Sequence, residues 1–576
     1  MVRNSDSNSA SSTVVNMDRD LEEQKYVQKK AKHWELVFDQ THVTPEVLNY
    51  PYKGSGTEQD PYVVEYIPND RRNPMNFSML KKWSLTILLA CATLAVSFVS
   101  SAYTGDVDGI IETFHVGPEV ATLGVSLFVL GFAIGPLLWA PLSELYGRQV
   151  LFFGTYAMLT TFNAGAAGAK NIQTLLLMRF FAGAFGSSPL TNAGGVIADM
   201  FTASHRGIAT SIYAAAPFLG PAIGPIVGGF LGEAKGWRWI EGLMAIFTGA
   251  LWIMGGLLIP ETYSPVILRR RADKMSSMTG KVYKSKIEVD YGSKSIAAEF
   301  KTSLSRPWIL LFTEPIVFLL SLYMAIVYGT LYMMFGAFPI VYQQDRGWSA
   351  GVGGLAFCGV AVGMMLAVLY SLWDNKRYND TAARHNGAAP PEARLPPAIV
   401  GSICLPIGLF WFAWTNSPSI HWSVSIIAAA PFGFGMVLVF LSIMNYLIDS
   451  YILYAASVLA ANSVLRSLFG AAFPLFTTYM FNNLGIHWAS SIPAFLALAC
   501  LPFPFLFYKY GASIRMKCKF AAEAARVLAE MRGASSNEDE AEETLEDMEE
   551  REARRLNVHG ESEGDSVLKD GEKREN

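Results

Sequence analysis

Arg179 sits in LLLMRFFAGAFG and Arg466 in ANSVLRSLFG, two cations inside long apolar stretches. At bilayer depth a cation costs about 2.5–3.5 kcal/mol on insertion scales. Each therefore either snorkels to a helix end, fills a packing role, or faces an aqueous cavity. In a cavity, a guanidinium would bias the protonation of a nearby carboxylate or hold substrate. Acids near that depth are few: Asp106, Asp108, Glu112, Glu144, Asp199 and Glu314, most of them close to stretch ends, where solvation is the plainer role. Glu144 and Arg148 flank Gly147 in PLSELYGRQ, so they can pair across a tight turn or with neighbouring helix ends, as a charge latch. Tyr328 and Tyr332, with other aromatics of the second half, could line a cavity for large apolar solutes, although packing explains any one of them equally well.

A different chemistry is written in PFLGPAIGPIVGGFL, residues 217–231. Gly220, Gly224 and Gly228 recur every four residues, as do Pro217, Pro221 and Pro225. On a helix such a row drifts only about 40° per step, giving one slowly winding groove without side chains. Close backbone approach is a main source of helix association in lipid. The prolines each remove a backbone donor and free a carbonyl one turn earlier. A static packing face needs only the glycines; a helix that bends or slides uses both.

Other chemistries are not supported. There is no GxxxxGK[ST] phosphate loop for a primary pump. The eight histidines are scattered, so no catalytic or metal set is expected and the chain is read as no enzyme. The five cysteines lack CxxC spacing and are expected to pack. No cofactor is expected beyond a proton gradient as energy source. Nothing points to nucleic acid.

These residues must be positioned by membrane helices. The chain has 576 residues, 51% hydrophobic and only 16% charged, with mean hydropathy +0.27. Apolar runs of membrane-spanning length predict twelve spans, at 83–103, 120–139, 150–169, 174–198, 208–231, 240–259, 314–338, 352–372, 398–415, 422–447, 453–480 and 489–510. The expected fold class is an all-α membrane protein of two pseudo-symmetric six-helix bundles. The expected division is a tail at 1–82, a bundle at 83–259, a central loop at 260–313, a second bundle at 314–510 and a charged tail at 511–576. Basic residues crowd the loops after even-numbered spans, among them Arg148, Arg206, Arg269, Arg270 and Arg271, and Lys376 and Arg377. By the positive-inside rule both termini are cytoplasmic. Residues 1–20 and the acidic run EDEAEETLEDMEE read as solvated tails, and residues 20–40 as a possible polar helix.

Several motifs resemble one family. Gly220-x-x-x-Gly224-Pro225-x-x-Gly228-Gly229-x-Leu231 matches the GxxxGPxxGGxL antiporter motif of the major facilitator superfamily. Ala140 to Gln149 resembles its GxLaDrxGrk signature, with Ala140, Glu144 and Leu145 as departures. Arg179 and Gly183 fit its lxxxRxxqGxg motif, with Ala182 for Gln. Pro260-Glu-Thr-Tyr-Ser-Pro and Asn73-Pro-Met-Asn-Phe resemble fungal twelve-spanning drug:proton antiporters. The resemblance implies a monomeric plasma-membrane transporter that exports hydrophobic drugs or toxic metabolites in exchange for protons by alternating access. The rival is a proton-coupled uptake carrier for a small organic solute. It places function on Glu144, Gly147, Arg148, Arg179, Gly183 and the fifth-span motif, with Arg466, Tyr328 and Tyr332 as possible cavity residues.

Overall fold

A computed structural model describes residues 32–292, 296–385 and 389–527. The Ser/Asn-rich start and the acidic run at 538–550 lie outside the described residues. The first half contains the helices Met79–Ala102, Pro118–Tyr146, Arg148–Ala167, Ile172–Met200, Ala203–Lys235 and Trp237–Leu258, spans one to six. Spans seven to ten are Pro315–Phe338, Phe357–Arg384 (with a lead-in turn at Ala350–Gly354), Pro396–Thr415 and Trp422–Ser450. Among the described residues, ten stretches are long and apolar enough to cross a membrane. The last of these, Ile452–Arg515, is broken at Gly485 (φ 73°, ψ 164°) into spans eleven and twelve. Ile172–Met200 completes a set of twelve long helices.

Three span pairs turn on one residue. Gly147 (φ 98°, ψ 158°) joins spans two and three, Gly236 (φ 82°, ψ 169°) joins five and six, and Gly485 joins eleven and twelve. That backbone region is essentially open to glycine alone. The face carrying the Gly147 turn and the arginine-rich loops is called the basic face below; the face carrying Gly236 and Gly485 is the opposite face.

The largest difference from the sequence reading lies on the basic face. Residues 33–77 and 260–291 are not a free tail and loop but fold together. Strand β1 (Tyr62–Val64) pairs in parallel with β2 (Tyr283–Ser285). Val47, Val64, Ile67, Ala272 and Met275 close a small core of their own. Asp70 and Arg271 form an ion pair with both side chains at 0% exposure. Arg72, equally enclosed, donates to the carbonyls of Gln40 (3.2 Å) and Glu261 (2.9 Å); burial lowers its guanidinium to about 10. Neither strand exceeds three residues, so no alternation pattern announced them. Within residues 20–40, the helix among described residues is only His33–Phe38.

Candidate functional site

The fifth-span motif works on two faces at once. A side chain on Gly220 would fall 2.6 Å from Ser97 Cβ and 2.7 Å from the Leu94 carbonyl of span one. One on Gly224 would overlap Ser101, and one on Gly228 the Ala102 carbonyl. The glycine row is therefore a backbone contact inside the first half. Gly229 points the other way, towards the second half: a Cβ there would sit 2.6 Å from the Ala350 carbonyl at the start of span eight. The Pro225 carbonyl meets Gly354 at the same seam, 2.6 Å from where its Cβ would lie. Gly183 plays a parallel part inside the first half, bringing span four against the Phe128 backbone of span two.

The halves also meet deeper in. Ser100 Oγ donates to the Ser97 carbonyl (2.6 Å) and lies 2.8 Å from Tyr332 Oη of span seven. Ser100 has one hydroxyl proton, so Tyr332 donates to it, and Tyr328 in turn donates to Tyr332 at 3.3 Å. Phe218 of span five packs edge-on against Phe440 of span ten, centroids 4.7 Å apart. Arg466 lies against both the Tyr328 and Phe440 rings, 4.7 and 5.0 Å from their centroids. At the basic face, Gly207 of span five lies beside Asn375 of span eight. The two halves thus touch at three depths, with the sequence-predicted Arg466, Tyr328 and Tyr332 together at the middle one.

Arg179 neither snorkels nor faces an open cavity. It is 0% exposed and held by the Gly124 (3.2 Å), Val99 (3.0 Å) and Ser100 (3.4 Å) carbonyls, between the Tyr103 and Phe128 rings. Its counter-ion is Glu241 of span six, 3.8 Å away and 1% exposed. Neither Glu241 oxygen receives a hydrogen bond. The sequence reading missed Glu241. The signal was available: it is an acid inside the apolar run 240–259, disguised by the interfacial Trp237, Arg238 and Trp239 beside it.

The candidate latch is rebuilt by the structure. Arg148 finds a carboxylate in Asp199 at the end of span four (3.6 Å), a neighbouring helix end, with Ser143 at 2.7 Å and Asn192 at 3.3 Å. The carboxylate that fixes the turn is Glu261. It accepts the backbone N–H groups of Arg148, Gln149, Thr262 and Tyr263 at 2.9–3.2 Å. An anion there meets the positive end of span three. Gly147 leaves it room, since a Cβ would overlap Glu261. The other candidate acids have plain duties: Asp106 caps Gly109, and Glu314 accepts from Tyr451 and the Phe520 backbone.

Comparison with known proteins agrees with this architecture. The chain is 67% identical over 516 residues to the MFS-type efflux pump MFS2 of Trichophyton rubrum, covering 90% of this chain and 87% of that one. It is 66% identical over 521 residues to the major facilitator superfamily multidrug transporter mdrA of Aspergillus fumigatus, covering 90% and 86%. It is 56% identical over 509 residues to the efflux pump FUBT of Fusarium oxysporum, covering 88% and 86%. The fold resembles the xylose transporter XylE from E. coli in a partially occluded inward-open conformation (TM-score 0.54, 15% identity, 75% of this chain and 98% of that one). Residues 87–474 match the sequence profile of the Major Facilitator Superfamily, and the chain belongs to that family of membrane transporters.

Proposed function

We propose that this protein is a secondary active transporter that exports hydrophobic small molecules in exchange for protons, by alternating access between its two halves. The observation that carries this reading is the two-faced fifth span. Its glycine row binds it to span one, while Gly229 and the Pro225 carbonyl abut span eight across the halves. A rigid seam at the opposite face can part as a unit when the halves rock, and helix five moves with its own bundle. Relatives named as efflux pumps support the outward direction. The basic face is cytoplasmic in this reading, the membrane is the plasma membrane, and a single chain suffices.

Glu241 is the proton-binding group. It is fully enclosed, its oxygens accept nothing, and its cation, Arg179, donates instead to three carbonyls and the Met244 sulfur. Its helix begins at Trp237, so it lies about 6 Å inside the opposite face. When Glu241 takes a proton, Arg179 loses its counter-ion and its hold on the Ser100 carbonyl strengthens. Ser100 is also the residue that Tyr332 of the second half grips. The proton state thereby reaches the interface between the halves.

Cells expressing the protein are expected to accumulate less of a fluorescent hydrophobic substrate than cells lacking it. An uncoupler, with ATP held up separately, should erase the difference. Glu241→Gln should reach the membrane yet lose export, while equilibrium exchange of labelled for unlabelled substrate persists. Export that survives the uncoupler would overturn the proton reading, and greater accumulation in expressing cells would overturn export.

A further inference from the structure

Arg466 is a mid-membrane cation whose charge nothing in the described structure balances. Its helix begins at Ala455, which places it about 16 Å along the axis, near the centre of a hydrocarbon core about 30 Å thick. Among the described residues no carboxylate lies within ion-pair distance of it, and its Nε has no hydrogen-bond partner. The contrast with Arg179 is direct, because that cation is paired with Glu241 and donates to three carbonyls and the Met244 sulfur. The surroundings of Arg466 are aromatic: Tyr328 and Phe440 occupy its neighbourhood, and Phe218 extends the apolar wall across to the first half. Rings attract a guanidinium but leave its edge donors unused. Those donors form a planar fork that fits a carboxylate or a phenolate. An uncompensated cation at this depth marks a functional site whose partner is to be named.

We infer that the missing partner is the substrate, and that Arg466 selects planar aromatic molecules carrying a negative charge, binding the anion by its N–H edge while Tyr328, Phe440 and Phe218 take the ring. This rests on the export reading above but adds a sign of charge to it. It also sets a current. Moving an anion out while one proton comes in transfers two positive charges inward per cycle, against one for a neutral substrate. Export of an anionic substrate is therefore the more strongly driven by an inside-negative membrane potential.

The test uses two dyes with the same xanthene ring and opposite charge, fluorescein (anionic) and rhodamine 6G (cationic). Fluorescein should bind the purified full-length protein saturably in detergent, read by fluorescence anisotropy, and the Arg466→Gln protein at least tenfold more weakly. Arg466→Lys should fall between them, since it keeps the charge and loses the fork. In cells, the ratio of fluorescein export to rhodamine 6G export should drop at least tenfold in Arg466→Gln. The inference is overturned by absence of saturable fluorescein binding to the native protein, or by equal binding to both proteins. An unchanged export ratio overturns it too. Should Arg466→Gln not fold, Arg466→Lys carries the test: native-like fluorescein affinity with a native-like export ratio counts against the bidentate grip. Binding is measured without a gradient, so a failure of the proton or export reading leaves this result separately legible.

Discussion

The two halves tie off their basic-face ends with the same plan and opposite materials. In each, an arginine that follows the second helix of the half reaches an aspartate at the end of the fourth: Arg148 to Asp199, and Arg394 to Asp449 at 2.8 Å. In each, a charged residue at or just past the end of the sixth helix closes the knot. In the first half it is the acid Glu261, which grips backbone amides. In the second it is the base Arg515, which pairs with Glu392 at 3.0 Å. The second half adds Arg377, paired with Asp374 at 2.6 Å and donating to the Ala393 carbonyl at 2.9 Å. A carboxylate on main-chain N–H groups cannot move without uncapping a helix. Long side chains that are partly exposed exchange partners cheaply. The first half is thus the fixed body at this face and the second the adjustable one.

The sharpest way to break this contrast is to remove the two closing residues in turn. Glu261→Ala strands four amides and the positive end of span three, and should cost roughly 3 kcal/mol of stability. Arg515→Ala should cost about 1 kcal/mol. Thermal unfolding midpoints in detergent compare them directly, and equal shifts would make the two knots equivalent. Next come the glycine turns. Gly147→Ala meets both a glycine-only backbone and the Glu261 carboxylate, whereas Gly485→Ala meets the backbone cost alone, because nothing lies within 4 Å of its Cβ position. The backbone cost is about 1–3 kcal/mol, and Gly147→Ala should exceed Gly485→Ala in the same measurement.

A smaller effect separates the ion pairs. A double-mutant cycle on Arg148→Ala and Asp199→Asn should give coupling of about 1 kcal/mol, and one on Arg394→Ala and Asp449→Asn about 0.5 kcal/mol or less, the second pair being the more exposed. The smallest concerns acid. Partial burial would raise the Asp39 carboxyl. Hydrogen bonds from Thr41 and the backbone of His42, with Lys274 nearby, outweigh it and hold the group at about 2. A folded value below the ordinary one means that its contribution is complete above about pH 4 and vanishes as pH falls towards 2. The N-terminal arm should then become protease-sensitive around pH 3 while the second half stays protected. Simultaneous cleavage of both would erase the asymmetry.

What was legible in the sequence follows the same divide. Long apolar runs fixed the helices, because bilayer thickness imposes their length. The glycine row was legible because one face of a helix repeats at a spacing a reader can follow, although not its two separate partners. Arg179 and Arg466 stood out as cations in apolar runs. Their different fates did not, since Glu241 lies 62 residues away from one and no acid among the described residues answers the other. The pairing of Arg148 with Asp199 and of Glu261 with the Gly147 turn was hidden for the same reason. These contacts join residues that only the folded bundle brings near, and no local period encodes them.

The clamp between the N-terminal arm and the central linker also has a schedule. Asp70 leaves the ribosome 201 residues before its partner Arg271. At ordinary rates of synthesis the wait is roughly 10 to 40 s. During it all six helices of the first half must be threaded into the membrane, and only then does the linker emerge to let β1 find β2. The arm closes last, over a bundle already assembled. A first half with a misplaced span would present the Gly147 turn and the linker on the wrong sides, and the clamp would stay open. Its exposed apolar core would mark the defective chain before the second half is complete.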